Sequence, residues 1–382
     1  MILDYYYSNS EQKFYIFGLQ KGKEVFFFER PFSTSNFKNL KEEMLSILDM
    51  RKEKRKIRNA EINLVSLGKK LYDKLIPDKL KIYLKNNPVE YLTIIPTEVL
   101  HSLPLELIYD DQEKCFWGIK YAMTRAFNLQ TLRAAIAAEK ENQILSALII
   151  SDPTTAIKMP YNQLHGGRNE TEISLGLDFA LIESKNIYEI LQKMGFKIIL
   201  LQQKDAEKSE VINILNDNLF SIIHFAGHAI FNRDNPTLSF LLLREGEMPV
   251  KLYANEIASK ISFKGYPIIF LSACETGGID TKIGDEVIGL ARGMIEAGTL
   301  GIIIAGWRIF DESSEELTRI FYHNFIFRKK PLAEALRLAR LHVHSRAKDA
   351  KTKGIIYAST HQLDLLHWGA YRFYGVPFIS FQ

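Results

Sequence analysis

Cysteine is nearly absent from this chain: Cys115 and Cys274 are the only two among 382 residues. Two thiols make at most one bridge, so the disulfide framework of a small secreted scaffold is excluded. No apolar run approaches about 18 residues, and no membrane-spanning helix is expected. The opening stretch Met1–Tyr7 has neither the basic region nor the cleavage site of a secretory leader, which makes the cytoplasm the expected compartment. Charge of one sign is lacking too: 49 Lys and Arg against 45 Asp and Glu leave +4, too little at this length to point to nucleic acid. The one dense basic segment, Arg51–Arg58, has no interleaved aromatic residues and reads as a solvated helix end or loop. Its alternative is contact with RNA or an acidic partner. His165-Gly166-Gly167-Arg168 lacks the lysine and hydroxyl residue of a phosphate loop. His323, His361 and His367 show no ligand spacing, and His342 and His344 face different ways on one predicted helix. Neither a metal nor a cofactor is expected.

The composition that remains, 47% hydrophobic and 25% charged, is that of a globular protein. Its length exceeds the usual single-core limit of about 250–300 residues, so two lobes are expected. Residues 1–88 read as an N-terminal lobe. Strand-like runs at Lys13–Leu19 and Glu24–Glu29 are joined through Lys21-Gly22-Lys23. Helical spacing follows in Phe37, Leu40, Met44, Ile47 and Leu48, then in Leu64, Leu67, Leu71 and Leu75. Asn86-Asn87-Pro88 breaks the pattern. Over 89–382 strands alternate with helices. The predicted strands are Tyr91–Ile95, Ile144–Ile150, Phe196–Leu201, Ser221–Ala226, Pro267–Ala273 and Leu300–Ala305. The predicted helices are Thr131–Lys140, Asp178–Met194, Lys208–Asn218, Asp285–Ala297 and Leu332–Arg346. Gly195 and Gly298 stand where helix-ending glycines belong, and Pro331 at a first helical position. The fold class is therefore α/β: an open, mostly parallel sheet flanked by helices, preceded by an N-terminal lobe.

Two stretches carry the chemistry. Ser221–Ala229 and Ile268–Gly278 are apolar runs of the kind that form buried parallel strands, and they stop at His228 and at Cys274. Open α/β sheets place reactive groups at the carboxyl ends of their strands. Neighbouring strands lie about 4.8 Å apart, so an imidazole and a thiol can meet there. The thiolate is the nucleophile, and a free thiol with a pKa of about 8.5 is mostly protonated near neutrality. A histidine that takes its proton, and later returns one to a leaving amine, completes the requirement for cutting a peptide bond. Main-chain N–H groups at Gly227, Ala229 and Cys274 are the candidate donors to the oxyanion.

The order of motifs adds a resemblance. Ile94-Ile95-Pro96 through Leu103-Pro104-Leu105-Glu106-Leu107, Ser151-Asp152-Pro153, and Ile223-His224-Phe225-Ala226-Gly227-His228 come first. Leu271-Ser272-Ala273-Cys274-Glu275-Thr276-Gly277, Asp285-Glu286 with Gly289-Leu290-Ala291-Arg292, Ala305-Gly306-Trp307 with Asp311, and His367-Trp368-Gly369-Ala370 follow. Together they resemble the CHAT family of caspase-like cysteine proteases, relatives of caspases and separase, from about Tyr91 to the C-terminus. The resemblance implies a caspase-like fold and a cysteine endopeptidase that cleaves a specific protein with His228 and Cys274 as its dyad. It further implies regulated processing, with defence or programmed death as its setting. Ala229 departs from the glycine that usually follows the family's histidine. The helical repeats that often accompany the family are missing, so a regulatory or sensor protein is expected to be separately encoded. A caspase-like pseudoprotease that only binds partners is the alternative, and a nucleic-acid-responsive protein using Arg51–Arg58 a further one.

Several residues near the dyad admit two readings. His224, mid-strand, reads as a hydrogen-bonded core residue. Glu275 and Thr276 either shape the oxyanion loop or cap the next element. Asp285 either opens the helix that follows or lines the substrate cleft. Asp311, close to Trp307, either binds a basic P1 side chain or caps a helix beginning near Ser313. At Ser272 some relatives with basic P1 preference carry aspartate, and serine there weakens that reading.

Overall fold

The computed structural model describes residues 1–48, 60–138, 144–165, 168–232, 235–274, 287–307, 311–352 and 368–381. By contact the chain divides into two compact units, Met1–Leu132 with Lys330–Ser380, and Arg133–Lys329 with Phe381–Gln382.

In the first unit, strand Tyr91–Ile95 lies between Ile2–Ser8 and Ala122–Arg125 and runs parallel to both. Tyr371–Gly375 pairs in parallel with Ala122–Arg125. Ile2–Ser8 turns back antiparallel onto Lys13–Leu19, which pairs with Phe26–Pro31. Strand side chains alternate between faces, so Phe14 and Ile16 are buried while Phe17 stays 40% exposed. Gly22 adopts φ +75° in the turn that follows, a conformation open to glycine without a Cβ penalty. Ile2–Ser8 was not expected as a strand, because Asp4-Tyr5-Tyr6-Tyr7 shows no alternation in hydropathy. The stripe Leu64, Leu67, Leu71 and Leu75 is buried on helix Ala60–Leu75.

The interior of this unit holds charge. Arg125 donates from Nε and Nη2 to Glu106 at 3.2 and 2.6 Å, and from Nη1 and Nη2 to the carbonyls of His101 and Leu103. Both members of the pair are 1% exposed. The motif Leu103–Leu107 thus supplies a buried carboxylate that ties a short helical turn to a central strand.

In the second unit, strands run in the order Lys197–Gln202, Ser146–Ser151, Ile222–Ile230, Ile268–Cys274 and Gly301–Ala305, all parallel. The sheet is covered on both faces. Ile223, Phe225, Ile269 and Leu271 pack toward Val211, Leu215, Ile257 and Met294 of three helices. The intervening His224 and Phe270 face Tyr322, and Phe270 also meets Phe321. Gly195 and Gly298 end their helices with φ of +80° and +108°, as their placement predicts.

The histidine strand runs past its expected end. It does not stop at His228 but continues to Ile230. Ser146–Ser151 ends opposite Ala226, and the edge left open there is taken by Phe240–Glu245, antiparallel over His228–Ile230. A strand hydrogen-bonded on one side only keeps its pairing groups available, and a hairpin supplies partners.

Candidate active site

The ladder brings the two principal residues together. His228 and Cys274 are direct partners in the parallel pairing of their strands, which lie about 4.8 Å apart. Six residue pairs lead up to this level, and the register is unbroken from Ile222↔Ile268 upward. The side chain of Cys274 lies outside the described residues.

His228 is 1% exposed, and its Nε2 sits 2.7 Å from the carbonyl oxygen of Leu175. A carbonyl can only accept, so Nε2 carries the proton in the tautomer assigned by this bond. The neutral ring then keeps its lone pair on Nδ1, the nitrogen that can take a proton from a thiol. The carbonyl is itself held in place. Thr154 Oγ1 donates to it at 3.0 Å, and the Leu175 N–H donates to Ile157 at 3.0 Å. Two residues on, the Leu177 N–H donates to Asp152 Oδ1 at 3.2 Å. The Asp152 N–H donates to the Ala226 carbonyl at 2.8 Å. The motif Ser151-Asp152-Pro153 is therefore the anchor of the loop that orients the histidine. Leu175 had no sequence signal, because its role lies in the main chain and any residue type provides a carbonyl.

A polar network lies beneath the dyad on the same face. Ser272 is two residues before Cys274, and alternate residues of a strand share a face. Its hydroxyl donates to Glu183 Oε2 at 2.9 Å and lies 2.7 Å from Ser314 Oγ. His224, fully buried, has Nε2 3.1 Å from Glu183 Oε1 and Nδ1 3.3 Å from the Tyr322 hydroxyl. Burial, then the Glu183 charge, pushes the Tyr322 pKa well above its ordinary value. The phenol therefore keeps its proton. His224 is thus a hydrogen-bonded core residue, and Glu183, from helix Asp178–Lys193, is the group that sequence reading missed. Nothing in an amphipathic helix distinguishes a carboxylate turned inward from one in water.

The remaining candidates are placed as follows. A Cβ on Gly227 would come within 2.7 Å of the Phe225 ring and 3.3 Å of Pro153, so a side chain there would have to displace the ring. Ala229 is buried opposite Leu241 in the ladder. Trp307 is buried just past strand Gly301–Ala305. Asp311 opens helix Asp311–Tyr322, ahead of the start expected near Ser313, and its side chain lies outside the described residues. Glu275, Thr276, Asp285 and the segment Arg51–Arg58 also lie outside them. Among the described residues no group of three His, Cys, Asp or Glu side chains is arranged to hold a metal. No helix among them is long and apolar enough to cross a membrane.

This mostly parallel, helix-flanked sheet, with a histidine on one central strand in register with a cysteine on the next, is a caspase-like cysteine protease fold. Residues 65–376 match the CHAT domain, and the chain belongs to the CHAT family. Among solved structures it is similar to the separase of Saccharomyces cerevisiae in its complex with securin. The TM-score is 0.57 at 12% identity over 100% of this chain. The match spans only 30% of the separase chain. It is also similar to the Arg-specific cysteine proteinase gingipain R, with a TM-score of 0.47, 13% identity, and coverage of 84% of this chain and 68% of that one. No curated protein sequence matches it.

Proposed function

We propose that this protein is a cysteine endopeptidase that cuts a specific protein substrate with a Cys274–His228 dyad. The observation that supports the reading best is the direct pairing of His228 with Cys274, together with the Leu175 carbonyl that commits Nε2 to donation. Nδ1 takes the thiol proton, and the thiolate sulfur bonds to the scissile carbonyl carbon. The oxyanion accepts from main-chain N–H groups at Cys274 and beside His228, at Gly227 and Ala229. The imidazolium then protonates the amine nitrogen as the C–N bond breaks. Water, deprotonated by the same imidazole, attacks the thioester and releases the acid and the thiol. The candidates for the pocket that takes the substrate side chain are Trp307, Asp311, Asp285 and Glu275.

Regulation by a separately encoded protein, in the cytoplasm, completes the proposal. The complex of separase with securin is an instance of such pairing in a protein of like fold.

The test is cleavage of a proteome-derived peptide library by wild type and by Cys274→Ala, with and without the products of neighbouring genes. Wild-type cleavage that disappears in the variant supports the dyad. Full activity in Cys274→Ala removes it. A well-folded wild type that cuts nothing and is not labelled by a thiol-directed electrophile at Cys274 would leave a partner-binding scaffold.

A further inference from the structure

Glu183 stands in an unusual position for a carboxylate. It is 4% exposed, and no lysine or arginine pairs with it among the described residues. Oε2 accepts from Ser272 at 2.9 Å and from Ser314 at 3.4 Å. Oε1 lies 3.1 Å from His224 Nε2 but off the line of a hydrogen bond, and among the described residues no other donor reaches it. A buried carboxylate with one poorly served oxygen is costly unless a cation completes it.

The location says where such a cation would come from. Going up one face of the two central strands, His224 pairs with Phe270, Ala226 with Ser272, and His228 with Cys274. Ser272 therefore lies about 7 Å below the level of Cys274, at a rise of about 3.3 Å per residue. That is the distance over which an extended arginine or lysine carries its charge away from its Cα. Ser272 is partly exposed, whereas Ser314 and Glu183 behind it are buried. A P1 side chain directed down this face would reach the level of Ser272, whose hydroxyl is bonded to Glu183.

We propose that Glu183 is the specificity-determining acid of the S1 pocket and selects arginine or lysine before the cut bond. This rests on the protease reading and adds to it the residue and the substrate class. The neighbouring groups suit the task. The Tyr322 hydroxyl lies 3.3 Å from His224 Nδ1 and donates to it in the tautomer that carries the proton on Nε2. Asn186 and Arg319 already occupy Glu315, on the helix that supplies Ser314, so that carboxylate serves as a control.

The experiment has two arms. In the first, cleavage-site profiles are taken for wild type, Glu183→Gln, Glu183→Asp and Glu315→Gln, each checked for folding by melting. Wild type should favour basic P1 residues. Glu183→Gln should lower kcat/KM for them by roughly 100-fold or more, while Glu183→Asp keeps the preference at reduced rate and Glu315→Gln leaves it unchanged. A uniform loss across all P1 residues, or a wild-type profile dominated by apolar or acidic P1, overturns the inference and leaves the protease reading in place. In the second arm, binding of butylguanidine and its neutral isostere butylurea to Cys274→Ala is measured by calorimetry. Preference for the cation that vanishes with Glu183→Gln supports the pocket even if no peptide is cut. Equal binding of the two probes overturns it.

Discussion

Replacing Glu106 by Gln tests the charged interior of the first unit without touching the dyad. The substitution keeps shape and removes one charge. Arg125 remains, 1% exposed, with its two bonds to the carboxylate at 3.2 and 2.6 Å weakened or lost. The two other guanidiniums that the carboxylate offsets, Arg340 and Arg372, are fully buried. Removing one partner of a buried pair costs about 3–5 kcal/mol, because the other charge is left uncompensated. That is a large part of the 5–15 kcal/mol, roughly, that holds a domain together. With m near about 3 kcal/mol/M in urea, the midpoint should fall by roughly 1–1.7 M. Tryptophan fluorescence is weighted toward this unit, since Trp117 and Trp368, two of the three tryptophans, lie in it and are fully buried. The exposed pair Lys204–Glu247, 73% and 77% exposed, is the control, and Glu247→Gln should cost less than about 1 kcal/mol. The pH dependence carries a sign. Burial alone would raise the pKa of Glu106, but Arg125, Arg340 and Arg372 outweigh it and hold the group below its ordinary 4.5. A depressed folded pKa stabilises above the unfolded value, and that contribution is lost as pH falls through the folded value. The gap between wild type and Glu106→Gln should therefore be full at pH 7 and shrink on acidification below about 4.5. A midpoint shift no larger than that of Glu247→Gln, or a gap unchanged in acid, would refute the reasoning.

Three further outcomes follow from the site. His228→Ala should silence cleavage by orders of magnitude while the protein still melts cooperatively; normal turnover would defeat the dyad. His224→Ala should mainly lower stability, by about 3–5 kcal/mol, since it opens a cavity and strips a partner from Tyr322; an unshifted melting temperature would count against the network. Asp311→Ala, if the side chain only caps its helix, should cost roughly 1 kcal/mol with P1 preference unchanged. A selective loss of cleavage after basic residues would instead assign that carboxylate to the pocket and take the role from Glu183.

Much of the second unit was legible in the sequence. Periodicity located its parallel strands to within a few residues, and the helix-ending glycines marked real left-handed turns at Gly195 and Gly298. The apolar runs through His228 and Cys274 required neighbouring strands, because only central positions bury both faces. Register lay beyond that reading. That His228 pairs with residue 274 and not one position off depends on how the helices seat against both sheet faces. A shift of one residue would turn every side chain to the opposite face. Short strands were also invisible: Ala122–Arg125 and Tyr371–Gly375 carry buried arginines, and a charged residue argues against a central strand until its carboxylate is found.

The linear chain determined which chemistry was available: one histidine and one cysteine at the ends of two buried strands, and little else that could act as a nucleophile and its base. Tertiary structure decided how that chemistry is set up. The Leu175 carbonyl reaches His228 from 53 residues away and fixes its tautomer, and Glu183 reaches Ser272 across 89 residues. Neither contact has a local signature, because a carbonyl belongs to every residue and a carboxylate on a helix is ordinarily solvated. Their roles arise only where folding removes water and brings each group to its partners.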